Sequence, residues 1–223
     1  MKRVLIVGVA LLALGLSVPA QALDDIRIDL ATKSSTPGNW NNISNLTGLT
    51  TGLIDFNTGA DTGASIDGGG SPWQSFFGDD GGAFADQDWL IQPATVDGAG
   101  LQSDLTGSYT LAGLTGPAYQ IELVSARTTF GYLNTFTVEG ALADRTYLGT
   151  PVQTPWNSTT DGLEPSNWLI WDGVVPDGGS ITITDVAGPG TLGILNAIRV
   201  YEIPEPSSVL LLGAGLIALI RRK

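Results

Sequence analysis

Short runs in which apolar and polar residues alternate recur through the middle of the chain. The clearest of them occupy residues 26–30, 119–124, 136–139, 181–184 and 194–203. Alternation sends successive side chains to opposite faces of a strand, and the middle of the chain nowhere sustains the apolar period of a helix. Glycine-containing turn sequences separate the runs, at residues 67–70, 80–82, 114–117 and 176–179. The pattern predicts an all-β fold, an antiparallel β-sandwich, whose first half is harder to assign to strands.

The N-terminal segment, residues 1–22, has the three parts of a secretory signal peptide. Residues 2–3 are basic, residues 4–16 are apolar, and a small-x-small pattern closes the segment at Ala20 and Ala22. The apolar run is too short to cross a bilayer comfortably, although an N-terminal membrane anchor remains the alternative. We therefore expect signal peptidase to cleave after Ala22 and the protein to be exported.

The C-terminal segment combines a stiff break, an apolar run and a basic end. Pro204, Glu205 and Pro206 form the break, residues 209–220 are apolar, and residues 221–223 are all basic. The basic end is expected to stay in the cytoplasm, and the apolar run is short for a permanent span. This predicts a short hydrophobic helix that enters the inner membrane only transiently.

The order of these three parts resembles the PEP-CTERM sorting signal, with Pro204, Glu205 and Pro206 as the matching motif. The resemblance implies recognition by an exosortase, a transpeptidase-like membrane enzyme, and cleavage near the motif. It also implies the cell surface or extracellular matrix of a Gram-negative-type bacterium that makes exopolysaccharide or biofilm. The predicted organisation is a signal peptide at 1–22, a β-sandwich domain at 23–203 and a sorting signal at 204–223.

The order of strands in the middle resembles the galactose-binding-like jelly roll of many carbohydrate-binding modules. The features that carry the resemblance are the strand at 25–29 that leads to 38–42, the pair at 119–127 and 135–140, and a last strand at 195–200. The last strand is expected to pair beside the first. The resemblance implies a ligand bound by loops at one end of the sandwich, and a structural calcium ion is common in that fold.

Composition excludes several classes of function. The chain has no cysteine and no histidine, which removes disulfides, thiolate nucleophiles and the usual histidine bases and zinc ligands. The formal net charge is -12, and five of the ten basic residues lie in the two ends. The middle of the chain is therefore strongly acidic and repels phosphate backbones and anionic lipid headgroups. For this reason we expect no nucleic-acid partner. The acid excess serves either solubility outside the cell or cation binding.

Tryptophans beside amide side chains are the candidates for sugar binding. An exposed indole can stack on the apolar face of a sugar ring while neighbouring amides bond its hydroxyls. The predicted set is Trp40 with Asn41, Trp73 with Gln74, and Trp156. The alternative is that these indoles fill the core, as we expect for Trp168 and Trp171 in their strand-like run.

A glycine-rich acidic loop is the candidate calcium site. Calcium takes six to eight oxygen ligands, which such a loop can supply from carboxylates and carbonyls. The carboxylates are those of Asp79, Asp80, Asp86 and Asp88. A second candidate at the start of the domain is the group Asp24, Asp25 and Asp29. The alternative for both is a solvated acidic turn.

No residue is predicted to be catalytic, so the chain is expected not to be an enzyme. A glycosidase needs only two facing carboxylates, and Glu122 and Glu139 lie on predicted strands, which leaves a polysaccharide hydrolase as a lesser alternative. The favoured function is a non-catalytic carbohydrate-binding module at the cell surface or in the matrix. A passive structural matrix protein without a defined ligand is the other alternative.

Overall fold

All regular structure in the described part of the chain is β-strand. The structure is a computed structural model, and it describes residues 24–30, 36–77, 97–125, 134–141, 147–149 and 168–204. The strands are β1 Asp25–Asp29, β2 Asn41–Asn42, β3 Leu49–Ile54, β4 Asp61–Asp67, β5 Gln74–Phe77, β6 Asp97–Leu101, β7 Thr106–Ala112, β8 Tyr119–Val124, β9 Asn134–Glu139, β10 Tyr147–Gly149, β11 Trp168–Val174, β12 Ile181–Ala187, β13 Gly193–Leu195 and β14 Ala197–Glu202.

The strands form three sheets. The five-stranded sheet has the order β11-β8-β14-β1-β2, the six-stranded sheet β10-β9-β12-β7-β4-β3, and the small sheet β13-β6-β5. Every pairing is antiparallel except β1 with β2. The first strand pairs with the last in the register Asp25↔Tyr201 to Asp29↔Ala197. Both the all-β antiparallel fold and the pairing of first and last strands are confirmed.

One apolar core joins the two larger sheets. Ile26 and Ile121 of the five-stranded sheet and Phe136 and Ile183 of the six-stranded sheet are buried in a single cluster. The alternating sequence produces this directly, since β12 buries every second residue from Ile181 to Ala187. The two sheets therefore pack as a sandwich, and in β12 the threonines between the buried residues face away from the core.

A two-residue turn lies in the connection from β11, in the five-stranded sheet, to β12, in the six-stranded sheet, at one of the predicted turn sequences. Gly178 and Gly179 both have positive φ, at 55° and 81°, which only glycine adopts without strain. The residues on either side, Asp177 and Ser180, exchange backbone hydrogen bonds of 2.8 and 2.9 Å.

Several predicted features lie outside the described residues. They are the signal peptide with Ala20 and Ala22, Glu205 and Pro206 of the sorting motif, the apolar run 209–220, Trp156, and the acidic loop with Asp79, Asp80, Asp86 and Asp88. Within the described part of the chain, no helix has the length and apolar character needed to cross a membrane.

Candidate functional site

The outer face of the five-stranded sheet carries a cluster of charged side chains beside an indole. We call Asp25, Arg27, Glu122, Trp168 and Arg199 the charged face. The register places Arg27 directly opposite Arg199, and Arg199 directly opposite Glu122. Residues opposite one another in a sheet share a face, so strands β1, β14 and β8 bring these groups together.

One carboxylate keeps the two opposed arginines together. Arg27 Nη2 donates to Asp25 Oδ2 at 2.9 Å. Arg199 donates twice to the same carboxylate, from Nε to Oδ1 at 2.8 Å and from Nη2 to Oδ2 at 3.1 Å. The double contact is the geometry in which guanidinium and carboxylate bind most strongly, and it offsets the repulsion between the two arginines.

Glu122 extends the network toward the sheet edge. Arg199 Nη1 donates to Glu122 Oε1 at 3.1 Å, and Trp168 Nε1 donates to Oε2 at 2.8 Å. The side chains of Asp25 and Glu122 are only 3% and 2% exposed, whereas the two arginines keep 14% and 17%. The charged groups are therefore held fixed, with the guanidinium groups nearest to solvent.

The protonation of Arg199 follows from its partners. Burial alone would lower the pKa of its guanidinium, but the hydrogen bonds and charges of Asp25 and Glu122 outweigh burial and raise that pKa. Arg199 therefore stays charged at every pH at which the protein folds.

Aromatic rings support the cluster from beside the sheet. The guanidinium carbon of Arg27 lies 3.5 Å from the centroid of the Phe56 ring, and that of Arg199 lies 5.0 Å from Tyr201. These are cation–π contacts, which stabilise a charge without adding a hydrogen bond. Phe56 in turn meets Trp40 edge to face, with centroids 6.5 Å apart.

Trp40 and Asn41, two of the predicted sugar-binding residues, lie beneath this face. Trp40 is 4% exposed, so its indole is not available to stack on a sugar. The Asn41 amide donates to the backbone carbonyls of Arg27 and Ile54 at 3.1 and 3.0 Å and accepts from the Ile54 amide at 2.8 Å. Both residues position Arg27 and the strands around it.

Trp73 and Gln74 lie elsewhere, next to the small sheet. Trp73 is 5% exposed, stacks on Tyr109 with centroids 4.8 Å apart, and donates through Nε1 to the Ser108 carbonyl at 3.2 Å. Its burial fits the alternative that the indole fills the core. Gln74 is exposed and accepts from Gln102 at 3.4 Å. Trp156 stays a prediction outside the described residues.

Trp168 and Trp171 divide between the two faces of β11. Trp171 is buried in the core as expected, opposite Ile121. Trp168 is half-buried on the outer face, and the expectation that it lies in the core is wrong. Ile170, two residues on, lies opposite Glu122 and is 46% exposed. The outer face thus also presents apolar surface beside its charges.

The second calcium candidate, at the start of the domain, is dispersed by the fold. Asp25 pairs with the arginines, while Asp29 accepts from the Thr36 hydroxyl at 2.7 Å. Burial raises the pKa of Asp24, and repulsion from Glu202 and Asp55 adds to the effect. Among residues that the structure describes, no three carboxylates are grouped as a metal ion requires.

The carboxylates of the face suit binding better than proton transfer. Glu122 lies on the five-stranded sheet and Glu139 is exposed on the six-stranded sheet, so the predicted hydrolase pair does not share a face. Asp25 and Glu122 do share one, but both accept hydrogen bonds from Arg199. A glycosidase needs one carboxyl group that holds a proton for the leaving oxygen, and two guanidinium-bound acceptors do not provide it.

The alternation of apolar and charged residues in β1 and β14 is the sequence feature that could have predicted this face. Arg27 stands between Ile26 and Ile28, and Arg199 between Ile198 and Val200. A charge at the outward position of an otherwise apolar strand lies on the face opposite the core. These two are among the few basic residues outside the two ends of the chain.

The C-terminal segment matches the family model of the PEP-CTERM protein-sorting motif over residues 202–223. The predicted resemblance is thereby confirmed. The motif indicates export and sorting to the cell surface in bacteria, with an exosortase as the processing partner. No curated protein matches this chain.

Several solved structures resemble the chain at low identity. A family 61 carbohydrate-binding module, solved with beta-1,4-galactotriose, is 14% identical, with 63% of this chain and 88% of the module covered and a TM-score of 0.36. A family 35 carbohydrate-binding module from an environmental isolate is 16% identical, with coverages of 60% and 90% and a TM-score of 0.28.

A third similar structure is an exo-beta-1,3-galactanase from Phanerochaete chrysosporium, solved with galactose. It is 14% identical, with a TM-score of 0.34, and the alignment covers 67% of this chain but only 32% of the enzyme. TM-scores this low do not establish a shared fold, and the function proposed below rests on the chain's own residues.

Proposed function

We propose that the processed protein is a non-catalytic carbohydrate-binding module, with its ligand on the charged face of the five-stranded sheet. It works at the cell surface or in the exopolysaccharide matrix of a Gram-negative-type bacterium. The observation that carries the proposal is a pair of guanidinium groups held fixed by buried carboxylates, with one indole and apolar surface beside them on the strands. Groups held in place by their neighbours bind without an added cost of ordering.

The chemistry of the face matches that of a sugar. Sugar hydroxyl oxygens accept hydrogen bonds, and the guanidinium groups of Arg27 and Arg199 are the donors of the face that lie nearest to solvent. Trp168 and Ile170 supply apolar surface for the C–H face of the ring. The two arginines and two carboxylates of the face balance in charge, while the chain carries -12. A neutral glycan is therefore favoured over an anionic one, which the protein's field would repel.

The second candidate is a passive structural protein of the matrix, without a defined ligand. It is favoured by the internal pairing of the same charges, because Asp25, Glu122 and Arg199 already satisfy one another. A network of this kind can simply fasten the first strand to the last and to β8.

The test is glycan binding by the full chain in mild detergent, measured on a panel of neutral and acidic polysaccharides with and without a calcium chelator. The variants are Trp168→Ala, on the charged face, and Gln74→Ala, an exposed control on the small sheet. Circular dichroism checks that both variants fold.

Saturable binding that Trp168→Ala weakens at least tenfold and Gln74→Ala leaves unchanged supports the proposal; a tenfold loss corresponds to about 1.4 kcal/mol. Loss in Gln74→Ala alone would move the site to the small sheet. Loss on chelation would support the predicted calcium site at Asp79, Asp80, Asp86 and Asp88. A folded protein that binds nothing on the panel leaves the structural role as the better account.

A further inference from the structure

The sorting segment and the folded domain share residues. The match to the sorting motif begins at Glu202, which is the last residue of strand β14. The Glu202 amide donates to the Asp24 carbonyl at 2.9 Å, and the Ile203 amide donates to the Ala118 carbonyl at 2.9 Å. Pro204, the first proline of the motif, follows at once and is exposed. No spacer separates the fold from the motif.

Strand β14 is not an edge that can peel away easily. It lies between β8 and β1, with Glu202 opposite Tyr119 on one side and Tyr201 opposite Asp25 on the other. Release of its end breaks hydrogen bonds to both neighbours. In a sheet interior such bonds open far less often than at a frayed terminus.

The side chain of Glu202 is held as well as its backbone. Its Oε2 accepts from the Asp24 amide at 3.2 Å. Gly116 packs against it so closely that a Cβ there would lie 2.7 Å from Glu202 Cγ. Glu202 is buried, unlike Pro204 two residues later.

Only a short stretch of chain separates the end of β14 from the apolar run that is predicted to enter the membrane. The apolar run begins at residue 209, five residues after Pro204, so the two points are at most about 18 Å apart. When the run enters the inner membrane as predicted, the end of β14 is therefore tethered within about 18 Å of it, and the enzyme has little chain on which to act.

We propose that folding of β14 and processing at the sorting motif compete for Glu202 and Ile203. Enzymes that cut or transfer a peptide bond hold the chain extended on both sides of that bond, much as a strand adds to a sheet. In the folded sandwich the upstream half of such a stretch is already paired inside the five-stranded sheet. The folded domain is thus a poor substrate, and processing proceeds through the precursor whose last strand is undocked.

The inference rests on the sorting motif and the strand pairing, and it is independent of the carbohydrate proposal. Its test is the rate at which precursor becomes product in a pulse-chase experiment, in a bacterium that carries an exosortase. One variant has a Gly-Ser linker of about ten residues between Ile203 and Pro204, long enough to span roughly 17 Å. The matched control has the same linker between Gly178 and Gly179, in the turn that connects β11 to β12.

We expect the linker at Pro204 to raise the processing rate several-fold and the linker between Gly178 and Gly179 to leave it unchanged. Gly116→Ala, which displaces the Glu202 side chain without adding chain length, is expected to raise the rate by a smaller factor. A linker at Pro204 that leaves the rate unchanged or lowers it overturns the proposal, since the enzyme then does not need the residues that the fold holds. Equal effects of the two linkers overturn it as well.

A second measurement needs no enzyme. Amide hydrogen exchange of the full chain in detergent reports directly on the end of β14. We expect the Ile203 amide to be protected nearly as well as those of the interior strands. Exchange of Ile203 at the rate of an open chain would show that the fold does not hold these residues, and the competition would not exist.

Discussion

The sandwich buries carboxyl groups in two contrasting environments. On the charged face, Asp25 and Glu122 accept hydrogen bonds from guanidinium groups. In the core-facing row of β12, Asp185 is fully buried, and Asn134 Nδ2 donates to its Oδ2 at 3.2 Å. Within the described part of the chain, Asp185 Oδ1 has no hydrogen-bond partner. The two environments are equally deep, and they differ in the hydrogen-bond donors that reach the carboxyl oxygens, which set the cost of burying a charge.

Removal of the shared carboxylate should have the largest effect. Asp25→Ala leaves Arg27 and Arg199 opposite one another without their common partner. Loss of one partner from a buried ionic network costs about 3–5 kcal/mol, so we expect the free energy of unfolding to fall by about 3 kcal/mol or more in urea titrations. Glu139→Gln, at an exposed strand position, is the control and should change stability by less than about 0.5 kcal/mol. Similar small changes in both variants would mean that the network adds no stability.

Asp185 lies in the second of these environments, in the core, and it should make the free energy of unfolding depend on pH. Burial raises the pKa of Asp185 from its ordinary value to about 7, and the hydrogen bonds from the Asn134 side chain and the Val186 backbone only partly offset this. Below about pH 4 the carboxyl group is protonated in both the folded and unfolded states. As the pH rises to about 7, the unfolded chain releases the proton while the folded chain keeps it, so the free energy of unfolding falls; above about 7 the loss is complete.

Asp185→Asn is the variant that isolates this effect. It should flatten the fall between about pH 4 and 7 and raise stability at pH 8 by roughly 2–4 kcal/mol, because the buried group no longer ionises. The measurement is the urea midpoint of both proteins across that pH range. If the difference between them stays constant with pH, Asp185 does not titrate in the folded protein.

The sequence predicted strands best where their two faces differ most. In β1 and β12, isoleucines alternate with polar residues, and both strands lie where the alternation places them. Strands β3 and β4 were not recognised, because threonine and glycine fill them and the β3 pairing shifts register between Thr51 and Leu53. A register shift breaks the period of two on which the prediction depends.

The site was harder to predict than the fold, for a physical reason. Alternation puts Arg27 and Arg199 on outer faces, but only the pairing of the first strand with the last makes them neighbours. The jelly-roll resemblance predicts that these two strands pair, but it does not give the register that sets Arg27 opposite Arg199, and no local pattern encodes that register. The burial of Trp40 and Trp73 has the same origin, since each indole is covered by residues distant in sequence, Phe56 and Tyr109.

A smaller change tests the edge of the charged face. Trp168→Phe keeps an aromatic side chain, although a smaller one, and removes the N–H that donates to Glu122 at 2.8 Å. A hydrogen bond to a charged acceptor contributes about 1.5–3 kcal/mol, and we expect a loss in that range in thermal or urea unfolding. Trp171→Phe removes an indole from the core on the same strand, and its cost should follow lost packing volume instead. A neutral Trp168→Phe would show that Glu122 is satisfied without the indole.

The smallest effects on stability should come from two tyrosine hydroxyl groups. Like the carboxyl groups above, they differ in whether a hydrogen-bond donor reaches them. The Tyr119 hydroxyl accepts from the Gly116 amide at 2.8 Å, whereas the Tyr109 hydroxyl is buried with no hydrogen-bond partner among the described residues. Tyr119→Phe should cost about 1 kcal/mol, because it leaves the Gly116 amide unpaired. Tyr109→Phe removes a group that makes no bond, so stability should stay within about 0.5 kcal/mol or rise. Equal losses in the two variants, measured by urea unfolding at one pH, would contradict the rule that partners decide the cost of burying a polar group.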